Sequence, residues 1–223
     1  MAISLLELDV DGETYEARLN TPEAGETDTC VVVLPGGGHG PFGDIFDVTA
    51  YELAQANVAT YRFETWTTPD ELRAKSFADF HAELDAAIAD VRERGYDRLF
   101  LLAKSFGGRI GLTHDLDAFE RVLGWAPAVR LSEESTFEAT YDTPLGETED
   151  LHIAADDVAG VDAPVRLLRG DEDEVVSADD ADALVDALAD AELRGIPGED
   201  HSFNENRTTV VAETLDYLVP DGG

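Results

Sequence analysis

Apolar and polar positions along the chain follow two different periods, and each change of period marks the border of a predicted element. Period-two alternation on both sides of Asp11-Gly12 predicts a β-hairpin over residues 3–19. Continuous apolar runs then alternate with stretches whose apolar residues recur every three or four positions, which predicts buried strands and amphipathic helices. The predicted strands after the hairpin are 30–34, 58–63, 98–102, 121–125, 165–168 and 193–196. The predicted helices are 46–56, 77–91, 107–112, 177–189 and 206–218.

Strands that alternate with helices predict an α/β fold with a mostly parallel sheet covered by helices on both faces. The leading hairpin adds antiparallel strands at one edge of this sheet. The chain has no internal repeat and no low-complexity linker, so we expect a single domain over residues 1–223. Its one long irregular stretch is 128–163, and a stretch of that length is usually functional or contains short helices.

The charge of the chain departs strongly from that of an ordinary soluble domain. The 223 residues include 49 Asp and Glu against 15 Lys and Arg, which gives a net charge of -34. Such self-repulsion destabilises a compact state in dilute buffer, but at 1 M salt the Debye length is only about 3 Å. Because the acidic residues are spread along the whole chain, we interpret them as adaptation to the salty cytoplasm of a halophile. The alternative interpretation is an acidic interaction surface, which more often shows blocks of like charge.

The composition also excludes several classes of partner. An acidic surface is a poor match for nucleic acid or an anionic membrane, and no apolar run approaches the length of a membrane-spanning helix. The first residues lack the basic region of a signal peptide. Cys30 has no second cysteine to pair with and is expected to be buried. We therefore expect a cytoplasmic monomer or homodimer, with no metal site and no cofactor.

Polar residues that could carry chemistry follow directly after four of the predicted strands. The glycine-rich segment PGGGHGPFGD follows strand 30–34, and Ser105 follows strand 98–102. Asp173 comes shortly after strand 165–168, and His201 comes after strand 193–196. In a parallel α/β sheet, ligands bind at the carboxyl ends of the strands. The sequence therefore predicts that a serine, a carboxylate, a histidine and a glycine-rich loop meet at one edge.

The order of these residues resembles that of the α/β-hydrolases, and within them the small lidless serine hydrolases similar to dienelactone hydrolase. The resemblance covers nearly the whole chain. Ala103-Lys104-Ser105-Phe106-Gly107 is similar to the G-x-S-x-G nucleophile elbow, with Ala103 in place of the first glycine. GDEDEVV resembles the family's acid loop and selects Asp173 over Asp171, and EDHSF resembles its histidine loop. Dienelactone hydrolase itself uses a cysteine nucleophile where this chain has Ser105.

The resemblance implies a serine esterase with Ser105 as nucleophile, His201 as general base and Asp173 as the acid that orients the histidine. The oxyanion hole would use the N–H groups of Phe106 and Gly37, with Gly38 as the neighbouring candidate. The expected reaction is cleavage of small carboxylic esters or lactones through an acyl-enzyme. Residues expected to contact this small-molecule substrate are His39, Phe42 and Trp125.

Other interpretations of the same residues stay open at this point. Serine is a preferred N-cap, so Ser105 could simply begin the next helix. Residues 38–43 match the G-x-G-x-x-G fingerprint of dinucleotide-binding proteins, and Glu64 lies near the position of the ribose-binding acid. In that case the protein would be an oxidoreductase. A third alternative is a hydrolase-like protein that binds a ligand without catalysis.

Overall fold

The computed structural model describes residues 1–23, 26–37, 40–66, 68–131 and 153–219. It contains eight strands and seven helices within these ranges. The strands are β1 (Ala2–Val10), β2 (Glu13–Thr21), β3 (Thr29–Leu34), β4 (Ala59–Phe63), β5 (Arg98–Lys104), β6 (Phe119–Trp125), β7 (Val165–Gly170) and β8 (Ala191–Ile196). The helices are α1 (Asp44–Gln55), α2 (Pro69–Ala74), α3 (Phe77–Glu93), α4 (Phe106–Leu112), α5 (Ala155–Val158), α6 (Ala178–Ala187) and α7 (Arg207–Leu218).

All eight strands form one sheet in the order β1-β2-β4-β3-β5-β6-β7-β8. β2 pairs antiparallel with β1 and with β4, and the five remaining pairings, from β4-β3 to β7-β8, are parallel. The predicted hairpin, the mostly parallel sheet and the helices around it are therefore confirmed. The carboxyl ends of β3, β5, β7 and β8 share one edge, which is the edge where the sequence concentrates its polar residues.

Residues 30–34 of β3 and 99–103 of β5 are apolar without interruption because both faces of the sheet are buried there. In β3, Cys30, Val32 and Leu34 pack into one core cluster. Val31 and Val33 of the same strand pack into a second cluster. The first cluster includes apolar residues of α3 and α4, and the second includes residues of α1 and α7. Because successive side chains of a strand point to opposite faces, β3 contributes to both core clusters. The expected burial of Cys30 is confirmed.

Two short helices were not predicted from the sequence. The side chain of Thr68 accepts the N–H of Glu71 and so caps α2, in which Pro69 occupies the first turn. This cap and proline are signals that could have identified the helix. The four-residue α5 lies within the stretch predicted to be irregular, as does an isolated bridge between Leu131 and Ile153. Residues 132–152, the larger part of that stretch, fall outside the described residues.

Candidate active site

Ser105 lies on the sharp turn between β5 and α4. Its backbone has φ 50° and ψ −113°, a conformation that L-residues rarely adopt. The strained turn is held by its neighbours, because the N–H of Ser105 donates to the carbonyl of Trp125 at 2.9 Å. The carbonyl of Ser105 accepts the N–H groups of Gly108 and Ala128, both at 2.9 Å. The hydroxyl makes no capping bond to α4, so the interpretation of Ser105 as a side-chain helix cap is wrong.

Glycine residues on α4 allow this turn to pack tightly against the ends of β3 and β5. A Cβ on Gly107 would lie 2.5 Å from the carbonyl oxygen of Leu34, so only glycine fits between α4 and the end of β3. A Cβ on Gly111 would lie 3.5 Å from that of Ala103 and 2.9 Å from the Leu101 side chain. Glycine at position 111 therefore makes room for the Leu101 side chain, because a Cβ there would meet Ala103 only at an ordinary contact distance.

A chain of hydrogen bonds connects the three residues predicted to form a triad. His201 Nε2 lies 2.9 Å from Ser105 Oγ. His201 Nδ1 lies 2.9 Å from Asp173 Oδ2. Asp173 follows β7 and His201 follows β8, so three separate strand ends bring the side chains together. The alternative acid Asp171 instead accepts the N–H of Gly198 at 2.6 Å.

Asp173 is built to stay ionised although its side chain has no exposed surface. Its Oδ1 accepts the N–H groups of Val175 and Val176, each at 2.8 Å. Burial acts to raise the pKa of Asp173, but the hydrogen bonds from His201 and from these two N–H groups act more strongly in the other direction. The net effect is a pKa below the ordinary value, so the carboxylate is negative at neutral pH.

The ionised carboxylate fixes the direction of every hydrogen bond in this chain. A carboxylate can only accept, so Nδ1 of His201 carries the proton and donates a hydrogen bond to Asp173. In the neutral ring Nε2 is then an acceptor, and the hydroxyl of Ser105 must donate to it. A histidine in this tautomer is oriented to remove the hydroxyl proton when oxygen attacks an electrophile.

A cleft of about 470 Å³ opens above these residues. Its walls come from the loop before α1, the end of β5 and the histidine loop after β8. The lining residues are Gly36, Gly37, Gly40, Phe42, Gly43, Asp44, Ile45, Phe46, Lys104, Ser105, Asp200, His201, Ser202 and Asn204.

Of the two predicted oxyanion donors, one lines this cleft and the other directly follows Ser105. Gly37 lines it directly. Phe106 is the first residue of α4, so its N–H has no partner within the helix, and it donates to no backbone carbonyl in the described ranges. Its side chain is buried in the core cluster that includes residues of α3 and α4.

The three predicted substrate contacts have different outcomes. Phe42 lines the cleft, and the guanidinium of Arg18 lies 3.9 Å from its ring centroid. His39 lies outside the described residues. The prediction that Trp125 contacts the substrate is wrong, because its side chain is fully buried and offers no surface to a substrate.

The tryptophan belongs to the core behind the site. Its ring is stacked between Phe46 at 5.6 Å and Phe203 at 5.7 Å, and Nε1 donates to Thr214 Oγ1 at 3.1 Å. What reaches the site from Trp125 is its carbonyl, which holds the N–H of Ser105. Trp125 therefore supports the turn from behind.

Sequence reasoning missed several cleft residues, of which Lys104 is the most unusual. A signal was present, because the chain has only two lysines and one of them immediately precedes Ser105. Burial lowers the pKa of Lys104 to about 8, although the carboxylates of Asp173, Asp200 and Glu199 act to raise it.

The topology gives no support to the dinucleotide-binding alternative. The parallel strands run in the order β4-β3-β5-β6-β7-β8, which is 2-1-3-4-5-6 when they are counted along the chain. Dinucleotide-binding folds of the Rossmann type have the order 3-2-1-4-5-6. Gly40, Phe42 and Gly43 of the glycine-rich segment line the same cleft as Ser105.

Neither a metal centre nor a membrane span is found in the part of the chain that the structure covers. There, no cluster of three or more His, Cys, Asp or Glu side chains is arranged to hold a metal ion. None of the helices in these ranges has the length and apolarity needed to cross a bilayer.

Solved structures with the same fold include several hydrolases. The chain is similar to Est1E from Butyrivibrio proteoclasticus, with a TM-score of 0.82, 17% identity and coverage of 95% of this chain and 96% of that one. A Klebsiella pneumoniae protein assigned as a dienelactone hydrolase has a TM-score of 0.74 and 21% identity, with coverage of 99% and 100%. A lidless α/β serine hydrolase from Xanthomonas campestris has a TM-score of 0.70 and 16% identity, with coverage of 99% and 97%.

These similarities define the class of fold. The chain has the α/β-hydrolase fold, with the mostly parallel sheet and N-terminal antiparallel hairpin described above. No protein-family model matches the sequence, and the comparison with curated proteins finds no match either.

Proposed function

We propose that the protein is a serine hydrolase that cleaves small carboxylic esters or lactones through an acyl-enzyme on Ser105. Ser105 attacks the carbonyl carbon while His201 Nε2 takes the hydroxyl proton. The tetrahedral intermediate collapses, His201 returns the proton to the leaving alcohol, and the acyl group stays on Ser105. A water molecule, activated by His201 in the same way, then releases the acid. Asp173 stabilises the imidazolium that forms in each step.

The observation that carries this proposal is the unbroken chain of hydrogen bonds from Ser105 through His201 to Asp173. Both bonds of the histidine measure 2.9 Å, and the carboxylate at the end of the chain is buried. The N–H groups of Phe106 and Gly37 are the proposed donors to the negative oxygen of the intermediate. Loss of one such donor typically reduces kcat about 10²- to 10³-fold.

The cleft supports a small ester as substrate. Its volume is about 470 Å³, and Phe42, Ile45 and Phe46 give it an apolar wall beside the hydroxyl of Ser105. An acyl chain or a lactone ring would lie against this wall. The structural neighbours support the same class, since they include Est1E and a cold-adapted esterase from an Arctic intertidal metagenomic library. A hydrolase-like binding protein without catalysis remains the alternative that the following experiment tests.

The experiment is labelling with a fluorophosphonate, which reacts with an activated serine, in about 2 M KCl so that surface charge is screened. Intact mass would be compared for the wild type, Ser105→Ala, His201→Ala and Ser202→Ala. Ser202 is the matched control because it is a second serine lining the same cleft. We expect one adduct on the wild type and on Ser202→Ala, none on Ser105→Ala and little on His201→Ala. Hydrolysis of p-nitrophenyl acetate by Ser105→Ala should fall in kcat by about 10⁶-fold, as in other triad knockouts.

Two results would contradict the assignment. Folded wild-type protein that forms no adduct would favour the non-catalytic alternative. Ser105→Ala with more than about a tenth of the wild-type kcat would show that another group attacks the substrate. Titration of the same samples with NADH would then test the 38–43 segment for dinucleotide binding.

We also propose that the protein works in a salty cytoplasm. Support comes from the net charge of -34 on a chain of 223 residues, which is a dense array of like charge. The melting temperature should rise steeply as KCl increases from about 0.1 M to about 1 M, where the Debye length falls from about 10 Å to about 3 Å. It should then level off, because screening is nearly complete. A melting temperature that is the same in dilute buffer and in molar KCl would refute the proposal.

A further inference from the structure

Lys104 is a charged residue at the end of an apolar row. On β5, Phe100 and Leu102 pack into the core cluster between the sheet and helices α1 and α7, and Lys104 is the next residue on that face. Only 9% of Lys104 is exposed. Lysine is rarely buried unless its ammonium has partners, because removal of the charge from water is unfavourable.

The ammonium group finds its partner in the histidine loop. Lys104 Nζ donates to the carbonyl oxygen of His201 at 2.8 Å and lies 5.4 Å from the ring centroid of Phe203. Lys104 is the residue directly before Ser105, and His201 carries the imidazole that contacts Ser105 Oγ. One hydrogen bond therefore ties the turn that carries the hydroxyl to the backbone of the residue that carries the imidazole.

The charges around this ammonium come from the elements packed against it. Asp173 lies on the loop after β7, and Asp200 and Glu199 lie on the histidine loop itself. Asp44 of α1 lines the same cleft, as does His201. Burial lowers the pKa of Lys104 to about 8, whereas the carboxylates of Asp173, Asp200 and Glu199 favour the protonated lysine.

We propose that Lys104 is a positioning residue whose ammonium holds the histidine loop so that His201 Nε2 stays within hydrogen-bond reach of Ser105 Oγ. This inference rests on the proposed function, because it assigns a role within the same reaction. Ser105 is fixed by its own strained turn and by three backbone hydrogen bonds. The histidine loop is anchored on its other side by Glu199, which accepts the N–H groups of Asp200, Glu205 and Asn206. Lys104 supplies the anchor on the side of the nucleophile.

A bond of this kind depends on the charge of the lysine. A charged donor makes a hydrogen bond roughly twice as strong as a neutral one. Loss of the proton from Lys104 therefore weakens the anchor while the side chain stays in place. The wild-type kcat should fall on the alkaline side of the pH profile, with an apparent pKa near the value of about 8, to a lower level that is not zero.

The experiment compares pH profiles of kcat and KM for the wild type, Lys104→Arg, Lys104→Met and Lys75→Arg with p-nitrophenyl acetate. Lys75→Arg is the matched control, since Lys75 is the only other lysine and pairs with Glu83 of α3. We expect Lys104→Met to lower kcat about 10- to 100-fold with little change in KM, because misplacement by about 1 Å can cost 10²-fold. Lys104→Arg should recover much of this loss and abolish the alkaline fall, since a guanidinium stays charged. The control should keep the wild-type profile.

A second measurement needs no substitution in the cleft. Protein made with ¹³C-lysine has only two Cε signals, which Lys75→Arg assigns. The signal of Lys104 should titrate near the value of about 8, together with the fall in kcat. A Lys104 signal that titrates while kcat stays constant would overturn the proposal even if Lys104→Met failed to fold.

The outcomes separate this inference from the proposed function. If the wild type forms the fluorophosphonate adduct but Lys104→Met keeps the wild-type kcat and pH profile, the role of Lys104 is refuted and the hydrolase stands. If the wild type forms no adduct, both are overturned. An adduct on the wild type, with the expected loss in Lys104→Met and its rescue by arginine, supports both.

Discussion

Two clusters within the described residues bring histidine together with a carboxylate and a hydroxyl, and they differ in the direction of the hydroxyl proton and in the burial of the carboxylate. The first is the proposed triad. The second, here called the helix cluster, lies between α3 and α4 and consists of His81, His114, Asp85 and Thr113. In the helix cluster His114 Nε2 lies 2.9 Å from Asp85 Oδ1, and His81 Nε2 lies 3.0 Å from Thr113 Oγ1. These distances match those of the triad almost to the tenth of an ångström.

The direction of the hydroxyl proton separates the two clusters. Thr113 Oγ1 donates to the carbonyl of Arg109 at 2.8 Å, as hydroxyls on helices commonly do. Because its only proton is used in this hydrogen bond, the Thr113 oxygen can only accept a hydrogen bond from the Nε2–H of His81. Ser105 has no such carbonyl partner on α4 and directs its proton to His201. The hydrogen bond between histidine and hydroxyl therefore runs from His81 to Thr113 in the helix cluster and from Ser105 to His201 in the proposed triad.

The carboxylates differ as strongly as the hydroxyls. The side chain of Asp85 is 70% exposed, whereas that of Asp173 has no exposed surface. In addition, the carboxylate and the hydroxyl of the helix cluster contact different histidines, His114 and His81. The two imidazole rings contact each other, with centroids 5.2 Å apart. In the helix cluster, no single imidazole contacts both a buried carboxylate and a hydroxyl that donates to it. Residue types and distances alone do not define a triad.

The largest expected difference between the clusters concerns their carboxylates. Asp173→Asn should lower kcat by about 10⁴-fold, because an amide that donates to Nδ1 forces His201 into the wrong tautomer. Asp85→Asn makes the same substitution next to His114 and should leave kcat unchanged. The measurement is hydrolysis of p-nitrophenyl acetate in about 2 M KCl, with circular dichroism to confirm that both variants are folded.

Equal kinetics in these two variants would remove the distinction between the clusters. A fall in kcat only in Asp85→Asn would assign the chemistry to the helix cluster. Asp171→Asn provides a second comparison within the acid loop, since Asp171 bonds the N–H of Gly198 and does not contact His201.

Most of the fold could be predicted because it depends on patterns that act along the chain. Both faces of β3 and β5 are buried, so residues 30–34 and 99–103 are apolar without interruption. Helix α3 is amphipathic and begins with a capping box at Ser76 and Asp79. The elements that were missed, α2 and α5, are six and four residues long, too short to show a helical period.

The sequence also indicated which residues meet at the site, because strand ends of a parallel sheet share one edge. It could not indicate orientation. Trp125 ends β6 at this edge, yet its ring turns away from the cleft and stacks between Phe46 and Phe203. The role of Lys104 was equally hidden, because its partner is a backbone carbonyl on another loop. A backbone acceptor leaves no residue-type signal for a sequence pattern to detect.

A smaller effect should distinguish the helix cluster by its stability. Burial, and then the nearby His114, lower the pKa of His81 below its ordinary value of 6.5, although the carbonyl of Ile110 and Asp85 act to raise it. The neutral ring is therefore favoured in the folded state, and the unfolded chain binds more protons just below that value. This contribution to stability is complete above about pH 6.5 and is lost as the pH falls through the folded pKa.

His81→Gln removes the titration, so its free energy of unfolding should decrease less than that of the wild type between about pH 7 and pH 5. Urea unfolding in molar KCl measures the difference, with Thr113→Val as the control that loses the hydrogen bond but keeps the histidine. Parallel pH dependences for the wild type and His81→Gln would show that His81 is not held neutral by the fold.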